Sequence, residues 1–309
     1  MNMSNNVTPL VSICSITYNH KPYIRQCLDS LLLQKTNFIY EIIINDDCST
    51  DGTTEIIKEY ASKYPNLIHP IFHDENQYSK GVRGMFAKFC FPQARGKYIA
   101  MCEGDDYWTD PLKLQKQVDF METHVEYVMC SHIVDIYNEN ERVRKKWGVQ
   151  QPQEYDIYTL VYGPWIFHPL SVLFRRESLA VEKCQKYRSS KDMTIFYNVL
   201  LNGRGYYMSE CMAVYRQHNG GVWSNSSFYQ NLVSNFKYSK DLYEIEKSDL
   251  AIAYIGETCI YPCGRRGIIK YMGIFIRVWY IYIRHYGLKK SFNMLYLYVS
   301  GKNFHPWKI

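Results

Sequence analysis

The sequence predicts an α/β fold, in which a three-layer, mainly parallel sheet is followed by a mostly helical and basic extension. Three observations lead to this prediction. Short apolar runs alternate with helix-like stretches through the N-terminal half, which favours parallel strands with helices on both faces of the sheet. One apolar run ends directly in a cluster of carboxylates. The C-terminal stretch, residues 258–309, has nine Lys or Arg and no Asp or Glu.

The elements of the sheet follow from apolar runs bounded by turn-forming residues. We expect strands at residues 10–17, 41–45, 67–72, 97–101 and 127–136. We expect helices at residues 22–33, 53–64, 84–94 and 110–122. Pro22 and Pro111 fall in the first turns of their helices, and Asp110 is expected as an N-cap. Residues 137–227 are less regular.

Composition bears on compartment and on charge. Ten cysteines are scattered without a CxxC pair, and the polar residues 1–9 do not form a signal peptide. We therefore expect reduced thiols and a cytoplasmic protein. The net charge of +6 is uneven, because residues 1–257 hold 27 basic and 30 acidic side chains, a net of −3. The basic extension is expected to meet something anionic or a membrane surface.

Three carboxylates, Glu103, Asp105 and Asp106, lie within four residues, directly after the apolar run 98–101. Groups at the carboxyl end of a buried strand lie in the crevice where open α/β sheets bind ligands. Like charges packed there are costly unless a cation shares the site, and Mg²⁺ often joins carboxylates to substrate phosphates. The alternative is an acidic surface turn.

Three further segments complete a pattern with this acidic run. They are Ile-Thr-Tyr-Asn at 16–19, Asn-Asp-Asp-Cys-Ser-Thr-Asp-Gly-Thr at 45–53, and Val-Tyr-Arg-Gln-His-Asn-Gly-Gly at 214–221. Together the four segments resemble family 2 glycosyltransferases of the GT-A (Rossmann-like) fold, with the acidic run in the place of the DXD motif. The resemblance covers roughly residues 9–227.

The resemblance implies a domain at residues 1–227, with a nucleotide-binding half at 9–136 and an acceptor and catalytic half at 137–227, and an extension at 228–309. It implies a nucleoside-diphosphate sugar as the donor, with a UDP-type donor favoured. The residues expected to contact the donor are Thr17, Tyr18, Asn19, Asp46, Asp47, Glu103 and Arg216. We expect Asp47 to face the ligand, and Asp51 to form the turn and helix cap instead. A structural salt bridge is the alternative for Arg216.

The resemblance also implies a divalent ion, Mg²⁺ or Mn²⁺, at the acidic run. Asp105 is the expected direct ligand, and His218 matches a family histidine that can reach the metal or the pyrophosphate. Glu103 stands where the family more often has Asp, so it would face the ribose or the metal. Asp106 is expected either to support the metal ligands from behind or to be structural. A lone histidine is more often a structural residue than a ligand.

Asp192 is the candidate general base. Inverting transfer needs a carboxylate that takes the proton of the acceptor hydroxyl. The family places this base before a helix ahead of its Tyr-Arg-x-His segment, and Asp192 is the only carboxylate between Glu182 and Glu210. Lys191 beside it would favour the ionised form but weaken it as a base. The alternative is that Asp192 only caps a helix beginning near Met193.

On the acceptor side, residues 168–175 look like the family's acceptor segment, and the implied acceptor is a glycan or a lipid-linked saccharide. No nucleic-acid partner is expected. Trp165, Phe167 and Trp223 could stack on sugar rings or pack within the domain.

In the extension, Lys270, Arg277 and Arg284 recur every seven residues among apolar and aromatic positions, and so share a helical face. This pattern predicts either a helix in the interface of an anionic membrane, which would place the protein peripherally at its inner face, or a helix packed on the domain with a solvated basic stripe. The run of β-branched residues in this stretch is also compatible with a β-strand.

The function that follows is an inverting, metal-dependent glycosyltransferase in surface polysaccharide or glycan assembly. A nucleotidyltransferase is a rival, but it would carry a Gly-rich basic loop after the first strand, where this chain has Asn-His-Lys-Pro. A non-catalytic carbohydrate-binding or scaffolding homologue is the second rival, and the complete set of acids speaks against it.

Overall fold

The computed structural model describes residues 8–163, 166–220, 226–260, 262 and 271–292. The chain divides into two compact units. The sheet unit contains residues 1–160, 164–186 and 190–219, and the helical unit contains residues 161–163, 187–189 and 220–309. Trp165, Trp223 and Lys270, which the sequence singled out, lie outside the described residues.

The sheet unit is built on one twisted sheet. Its strands are β1 (Val11–Thr17), β2 (Tyr40–Asp46), β3 (Ile68–Phe72), β4 (Tyr98–Glu103), β5 (Tyr107–Trp108), β6 (Tyr127–Asn138), β7 (Val143–Trp147), β8 (Gln153–Tyr155), β9 (Leu173–Arg175) and β10 (Arg204–Gln217). Their order is β3-β2-β1-β4-β9-β6-β10-β5, with β7 on β6 and β8 on β10. The pairs β1–β2, β1–β4, β2–β3 and β6–β10 are parallel, and β9 runs antiparallel between β4 and β6. The predicted mainly parallel α/β sheet is confirmed.

Helices cover the sheet through apolar faces. They are α1 (Ile24–Leu32), α2 (Thr53–Lys63), α3 (Lys113–Thr123), α4 (Ile157–Tyr162), α5 (Val181–Gln185) and α6 (Asp192–Leu200). In α1, Ile24, Leu28 and Leu31 recur at helical spacing and are fully buried against the strands. Each such side chain contributes about 1.5–3 kcal/mol when it leaves water. This burial fixes α1 against the end of β1, where the candidate site begins.

Two predicted elements differ from the structure. The helix expected at 84–94 is a π-helical turn at Phe86–Cys90 followed by a 3₁₀ turn at Phe91–Gln93, because Pro92 has no N–H to continue an α-helical pattern. The helix expected from Asp110 begins at Lys113. Asp110 instead accepts a hydrogen bond from the backbone N–H of Leu112 in the preceding turn, with a distance of 2.8 Å.

The helical unit packs α7 (Phe228–Glu246), α8 (Asp249–Ile255) and α9 (Met272–Tyr286) around an apolar core. Ile274, Val278 and Ile281 bury one face of α9 in this core. The alternative that this stretch forms a β-strand is therefore wrong, because residues 272–286 are helical. Within the described ranges, no helix is both long enough and apolar enough to cross a membrane.

Candidate active site

The register of the sheet brings the predicted strand ends together. In the parallel ladder of β1 and β2, Thr17 stands opposite Asp46, and in the ladder of β1 and β4, Ile16 stands opposite Glu103. The carboxyl ends of these strands therefore meet at one edge of the sheet, where open α/β folds bind ligands. Segments far apart in sequence share this edge because the strand order is β2-β1-β4.

The acidic cluster (Glu103, Asp105 and Asp106) lies at the end of β4, with one oxygen from each carboxylate within 4.8 Å of the others. Burial raises the pKa of Glu103 well above its ordinary value, and the carboxylates of Asp192 and Asp105 raise it further. Burial and the same kind of repulsion raise the pKa of Asp106. The ionised cluster is thus held in an unfavourable state that a cation would relieve.

Asp106 has the structural role expected of it. Its side chain is buried, and Oδ1 accepts a hydrogen bond from the backbone N–H of Arg216 at 2.8 Å. This bond ties the acidic cluster to the end of β10.

Asp105 faces two histidines. The Nε2 of His218 lies 3.0 Å from Asp105 Oδ2, and the Nε2 of His20 lies 3.7 Å from the same oxygen. Burial by itself would raise the pKa of Asp105, but the hydrogen bond with His218 and the charges of both histidines hold it below its ordinary value. Among the described residues, Asp105 Oδ1 and His20 Nδ1 are buried polar atoms without a hydrogen-bond partner. The sequence predicted Asp105 and His218 as a pair, but it did not single out His20.

Arg216 is engaged by protein groups on every side. Its Nε donates to the backbone oxygen of Asp105 at 2.8 Å, and its terminal nitrogens reach Glu139 at 3.2 Å and Gln26 at 2.7 Å. The guanidinium also lies 4.7 Å from the ring centroid of Tyr23. These contacts fit the structural alternative, and direct contact of Arg216 with the donor stays a prediction.

The loop after β2, residues 46–54, is held by its own carboxylates. Asp46 accepts hydrogen bonds from Ser49 and from the hydroxyl of Thr54. Asp51 accepts from the backbone N–H and hydroxyl of Thr53 at 3.0 and 2.6 Å, which confirms its expected role in the turn, while Gly52 and not Asp51 occupies the N-cap position of α2. We call residues 46–54 the strand-end loop.

Asp47 joins the strand-end loop to the loop after β3. Its Oδ1 accepts from the backbone N–H of Gln77 at 2.7 Å, and its Oδ2 accepts from that of Tyr78 at 3.0 Å. A carboxylate has about four acceptor positions, so these two bonds leave room for a ligand donor. The predicted contact of Asp47 with the donor remains a prediction.

The end of β1 offers a stacking surface and a backbone bridge. Tyr18 is 44% exposed at this edge. Asn19 has a positive φ of 54° and joins two strand ends, since its N–H donates to Ser49 Oγ at 2.9 Å and its Oδ1 accepts from the Thr50 N–H at 2.8 Å. Thr17 Oγ1 is buried without a partner among the described residues. The donor contacts predicted for Thr17, Tyr18 and Asn19 are untested.

Asp192 is the first residue of α6, and Lys191 occupies the N-cap position. Burial raises the pKa of Asp192 to about 6, while the charge of Lys191 opposes the shift. Because the charge of Asp192 also raises the pKa of Glu103, the two carboxylates lie close enough to repel each other. Asp192 therefore belongs to the same edge as the acidic cluster, with a pKa suited to accepting a proton near neutral pH.

The acceptor segment is partly a packing element. Phe167 is fully buried and packs against Tyr155 and Phe196, so of its two alternatives the structure supports packing within the domain. His168 lies between the rings of Trp147 and Tyr215, at 4.7 and 4.3 Å, and burial lowers its pKa to about 4. It is therefore neutral at physiological pH.

The model of Glycosyl transferase family 2 matches residues 12–181, which is more than half of the chain. The chain belongs to this family. This membership confirms the resemblance inferred from the four segments.

Relatives match over about 70% of the chain. An uncharacterized protein of Mycobacterium tuberculosis is 38% identical over 217 residues, which are 70% of this chain and 61% of that protein. The chain thus spans less than two thirds of that relative. The putative teichuronic acid biosynthesis glycosyltransferase TuaG of Bacillus subtilis is 30% identical over 224 residues, covering 71% of this chain and 84% of TuaG.

The fold is shared with a solved enzyme. The crystal structure of S. aureus TarS (residues 1–349) in complex with UDP-GlcNAc superimposes with a TM-score of 0.66 and 17% identity. The superposition covers 94% of this chain and 88% of that one. This similarity shows the GT-A fold that was predicted.

Proposed function

We propose that this protein is a glycosyltransferase, and that it is an inverting, divalent-metal-dependent enzyme that moves a sugar from a nucleoside-diphosphate sugar to an acceptor hydroxyl. The observation that carries the proposal is the pairing of two kinds of carboxylate at one sheet edge. Asp105 has a lowered pKa, two histidines and an unpartnered oxygen, while Asp192 has a pKa raised to about 6. The first suits a metal ligand, and the second suits a general base.

The residues present fit a divalent ion. Asp105 and His218 would hold it, with Glu103 beside them, and the ion would supply positive charge to the leaving diphosphate. Asp106 and Arg216 keep the acidic cluster in place through their mutual hydrogen bond. Asp192 takes the proton from the acceptor hydroxyl at its carboxylate oxygen. The acceptor oxygen then bonds to the anomeric carbon as the bond to the diphosphate breaks on the opposite face, which inverts that carbon.

A UDP-type donor and a polysaccharide acceptor are the finer parts of the proposal. TarS, which shares the fold, binds UDP-GlcNAc, and TuaG is named for teichuronic acid biosynthesis. In this chain the exposed ring of Tyr18 can stack on a base, and the strand-end loop presents hydrogen-bonding groups to a ribose. The proposed acceptor is a growing glycan or a lipid-linked saccharide.

The test is metal-dependent turnover of a panel of nucleoside-diphosphate sugars. EDTA should abolish donor hydrolysis and transfer, and Mn²⁺ or Mg²⁺ should restore both. Asp105→Asn should lose donor binding and turnover, while Asp119→Asn, an exposed carboxylate on α3, should retain both. Full activity in chelator would contradict metal dependence, and a product that retains the donor's anomeric configuration would contradict inversion.

We propose that the helical unit attaches the enzyme peripherally to the inner face of an anionic membrane. A groove of about 710 Å³ between α7 and α9 is lined by four cations, Lys240, Lys247, Arg277 and Arg284, and one acid, Glu244. Beside it Met272, Ile276 and Tyr280 recur every fourth residue on α9 and are 41%, 54% and 60% exposed. Cations flanking exposed apolar and aromatic side chains are typical of a helix in the bilayer interface.

Co-sedimentation with vesicles tests this attachment. Binding should require anionic phosphatidylglycerol and should weaken in high salt, because each Lys or Arg near such a surface contributes ~1 kcal/mol of screened attraction. Charge reversal of Lys270, Arg277 and Arg284 to Glu should release the protein, with donor hydrolysis unchanged. Reversal of the exposed Lys35, Lys58 and Lys63 makes the same change in net charge and should leave binding intact. Equal loss in both triple variants would mean a nonspecific charge effect and would overturn the proposal.

A further inference from the structure

We infer that His20 is a third protein ligand of the divalent ion, and that the set His20, Asp105 and His218 gives this site a preference for Mn²⁺ over Mg²⁺. The inference rests on the proposed metal dependence and adds to it a ligand and a selectivity. Nothing in the local sequence pattern singled out His20, which lies in the segment between β1 and α1.

The positions of three side-chain atoms support the first part of the inference, the ligand role of His20. His20 Nε2, Asp105 Oδ2 and His218 Nε2 all lie within 4.8 Å of one another, and both imidazoles direct Nε2 at the same carboxylate oxygen. The two rings are nearly perpendicular, with centroids 6.2 Å apart. The three ligand atoms come from three parts of the chain: the segment after β1, the turn after β4 and the end of β10.

The surroundings of His20 support a ligand rather than a packing residue. Among the described residues its side chain contacts no acid other than Asp105 within ion-pair distance, and Nδ1 has no hydrogen-bond partner. Gly104 allows the His20 ring to pack close to the turn after β4, since a Cβ there would lie 2.6 Å from Thr17 Oγ1 and 3.1 Å from His20 Nδ1. The buried Asp105 Oδ1 is also unpartnered among the described residues, and a buried carboxylate oxygen without a donor is costly. A cation held between these side chains would offset that cost.

The chemical nature of the three ligand atoms supports the second part of the inference, the preference for Mn²⁺ over Mg²⁺. Mg²⁺ favours oxygen ligands, keeps several waters and is usually held by one or two carboxylates with substrate phosphates. Imidazole nitrogen suits transition ions, and affinity for a given nitrogen-containing site rises from Mn²⁺ through Co²⁺ to Zn²⁺. Two imidazoles and one carboxylate therefore favour Mn²⁺ over Mg²⁺. They also predict that Zn²⁺ binds more tightly than either.

A purely electrostatic role for His20 makes the opposite prediction. If protonated His20 only paired with the Asp105 carboxylate, the metal would have to displace it. Removing the side chain would then leave Mn²⁺ affinity unchanged or raise it. A ligand role instead predicts lower affinity on removal, so the two roles differ in sign.

Titration of the metal-free full chain with Mn²⁺, followed by the EPR signal of the free ion and without any donor, separates them. We expect His20→Ala to weaken Mn²⁺ binding by a factor of at least roughly 10–100, since loss of even an outer-shell partner of a metal costs that much. His69→Ala is the matched control. Its Nε2 also lies 3.8 Å from a carboxylate oxygen, that of Glu41, but it stands at the start of β3, at the opposite edge of the sheet. It should bind Mn²⁺ like the unaltered chain.

Selectivity is read by competition with Mg²⁺ in the same titration. His20→Asp replaces nitrogen by oxygen and should lower the preference for Mn²⁺ over Mg²⁺ while still binding metal, so it also reports on a site that remains folded. Unchanged Mn²⁺ affinity in His20→Ala, or an unchanged preference in His20→Asp, would overturn the inference. Asp105→Asn separates the two proposals. If both His20→Ala and Asp105→Asn bind Mn²⁺ like the unaltered chain, the metal site of the proposed function is wrong. If only Asp105→Asn loses Mn²⁺ binding, the metal site stands and only the ligand role of His20 is wrong.

Discussion

The acidic cluster and the strand-end loop lie at the same sheet edge, and both contain buried carboxylates. They differ in how far these carboxylates are stabilised by hydrogen bonds. In the strand-end loop, Asp46 and Asp47 are satisfied by hydrogen bonds from serine, threonine and backbone groups. In the acidic cluster, Asp105 keeps an unpartnered oxygen, and burial with mutual repulsion raises the pKa of Glu103 and of Asp106.

This difference separates a scaffold from a reactive centre. A carboxylate that accepts several N–H or O–H bonds stabilises the fold and fixes the loops around it. A carboxylate that is buried, crowded and incompletely bonded lowers stability and gains most from a bound cation or a proton. The strand-end loop is therefore complete without a ligand, whereas the acidic cluster is not, and under the proposed function a bound ion would complete it.

The largest effect should come from Asp192, which belongs to the reactive side of this comparison. Asp192→Asn keeps the shape of the side chain and removes its proton-accepting oxygen. We expect kcat to fall by a factor of roughly 10²–10⁴ with the donor Kd nearly unchanged. A collapse of donor affinity with kcat preserved would instead assign Asp192 to the donor pocket. Asp119→Asn is the control for a carboxylate lost elsewhere in the sheet unit.

The pH profile of the unaltered enzyme sharpens the same prediction. The pKa of Asp192 is raised to about 6, so the base is ionised and active above that value and becomes protonated below it. The rate should therefore fall as pH drops through about 6, rather than through the ordinary range near 4. This acidic limb should be absent from the residual activity of Asp192→Asn. A limb that persists in the variant would belong to another group.

Much of this arrangement could be predicted from sequence, because its signals are local. The apolar runs ending in Thr17, Asp46 and Glu103 are short strands bounded by turn formers, and parallel pairing places their ends at one edge. The separate roles of Asp51 and Asp106 also followed from local pattern and resemblance. The regular helix predicted at 84–94 was wrong, and the choice between stacking and packing for Phe167 stayed open, because both depend on packing that no local pattern records.

The part that sequence could not supply depends on long-range pairing. His20 is a lone histidine in a turn, without any spacing to a second ligand. It becomes a neighbour of Asp105 because β1 pairs with β4. It becomes a neighbour of His218 because the end of β10 pairs with β5, which follows Asp105 in the chain. Residues 137–217 gave little periodicity, and β7 to β10 were not predicted there. A sequence signal for His20 would have required knowledge of the strand order.

The smallest expected effect is on the thermal stability of the protein without metal or donor. It is also the most direct test of the difference between the two regions. In Asp47→Asn the side-chain NH₂ group faces the backbone N–H of Gln77 or of Tyr78, so one of these two N–H donors loses its acceptor. A buried donor without an acceptor lowers the free energy of unfolding by about 1–3 kcal/mol. Glu103→Gln should act in the opposite direction, because it removes a charge that burial, Asp192 and Asp105 make unfavourable. At pH 8 we therefore expect Tm to fall in Asp47→Asn and to rise in Glu103→Gln.

The pH dependence of the Glu103 effect follows from the direction of its pKa shift. The folded protein holds the Glu103 proton to a higher pH than the unfolded chain does, so this group lowers stability as pH rises above the unfolded pKa of about 4.3. The gain in Glu103→Gln should thus be present at pH 8 and vanish near pH 4, as thermal melts of metal-free protein at both pH values would show. If Glu103→Gln instead loses stability at pH 8 as Asp47→Asn does, the acidic cluster is a second scaffold, and the contrast between the two regions is wrong.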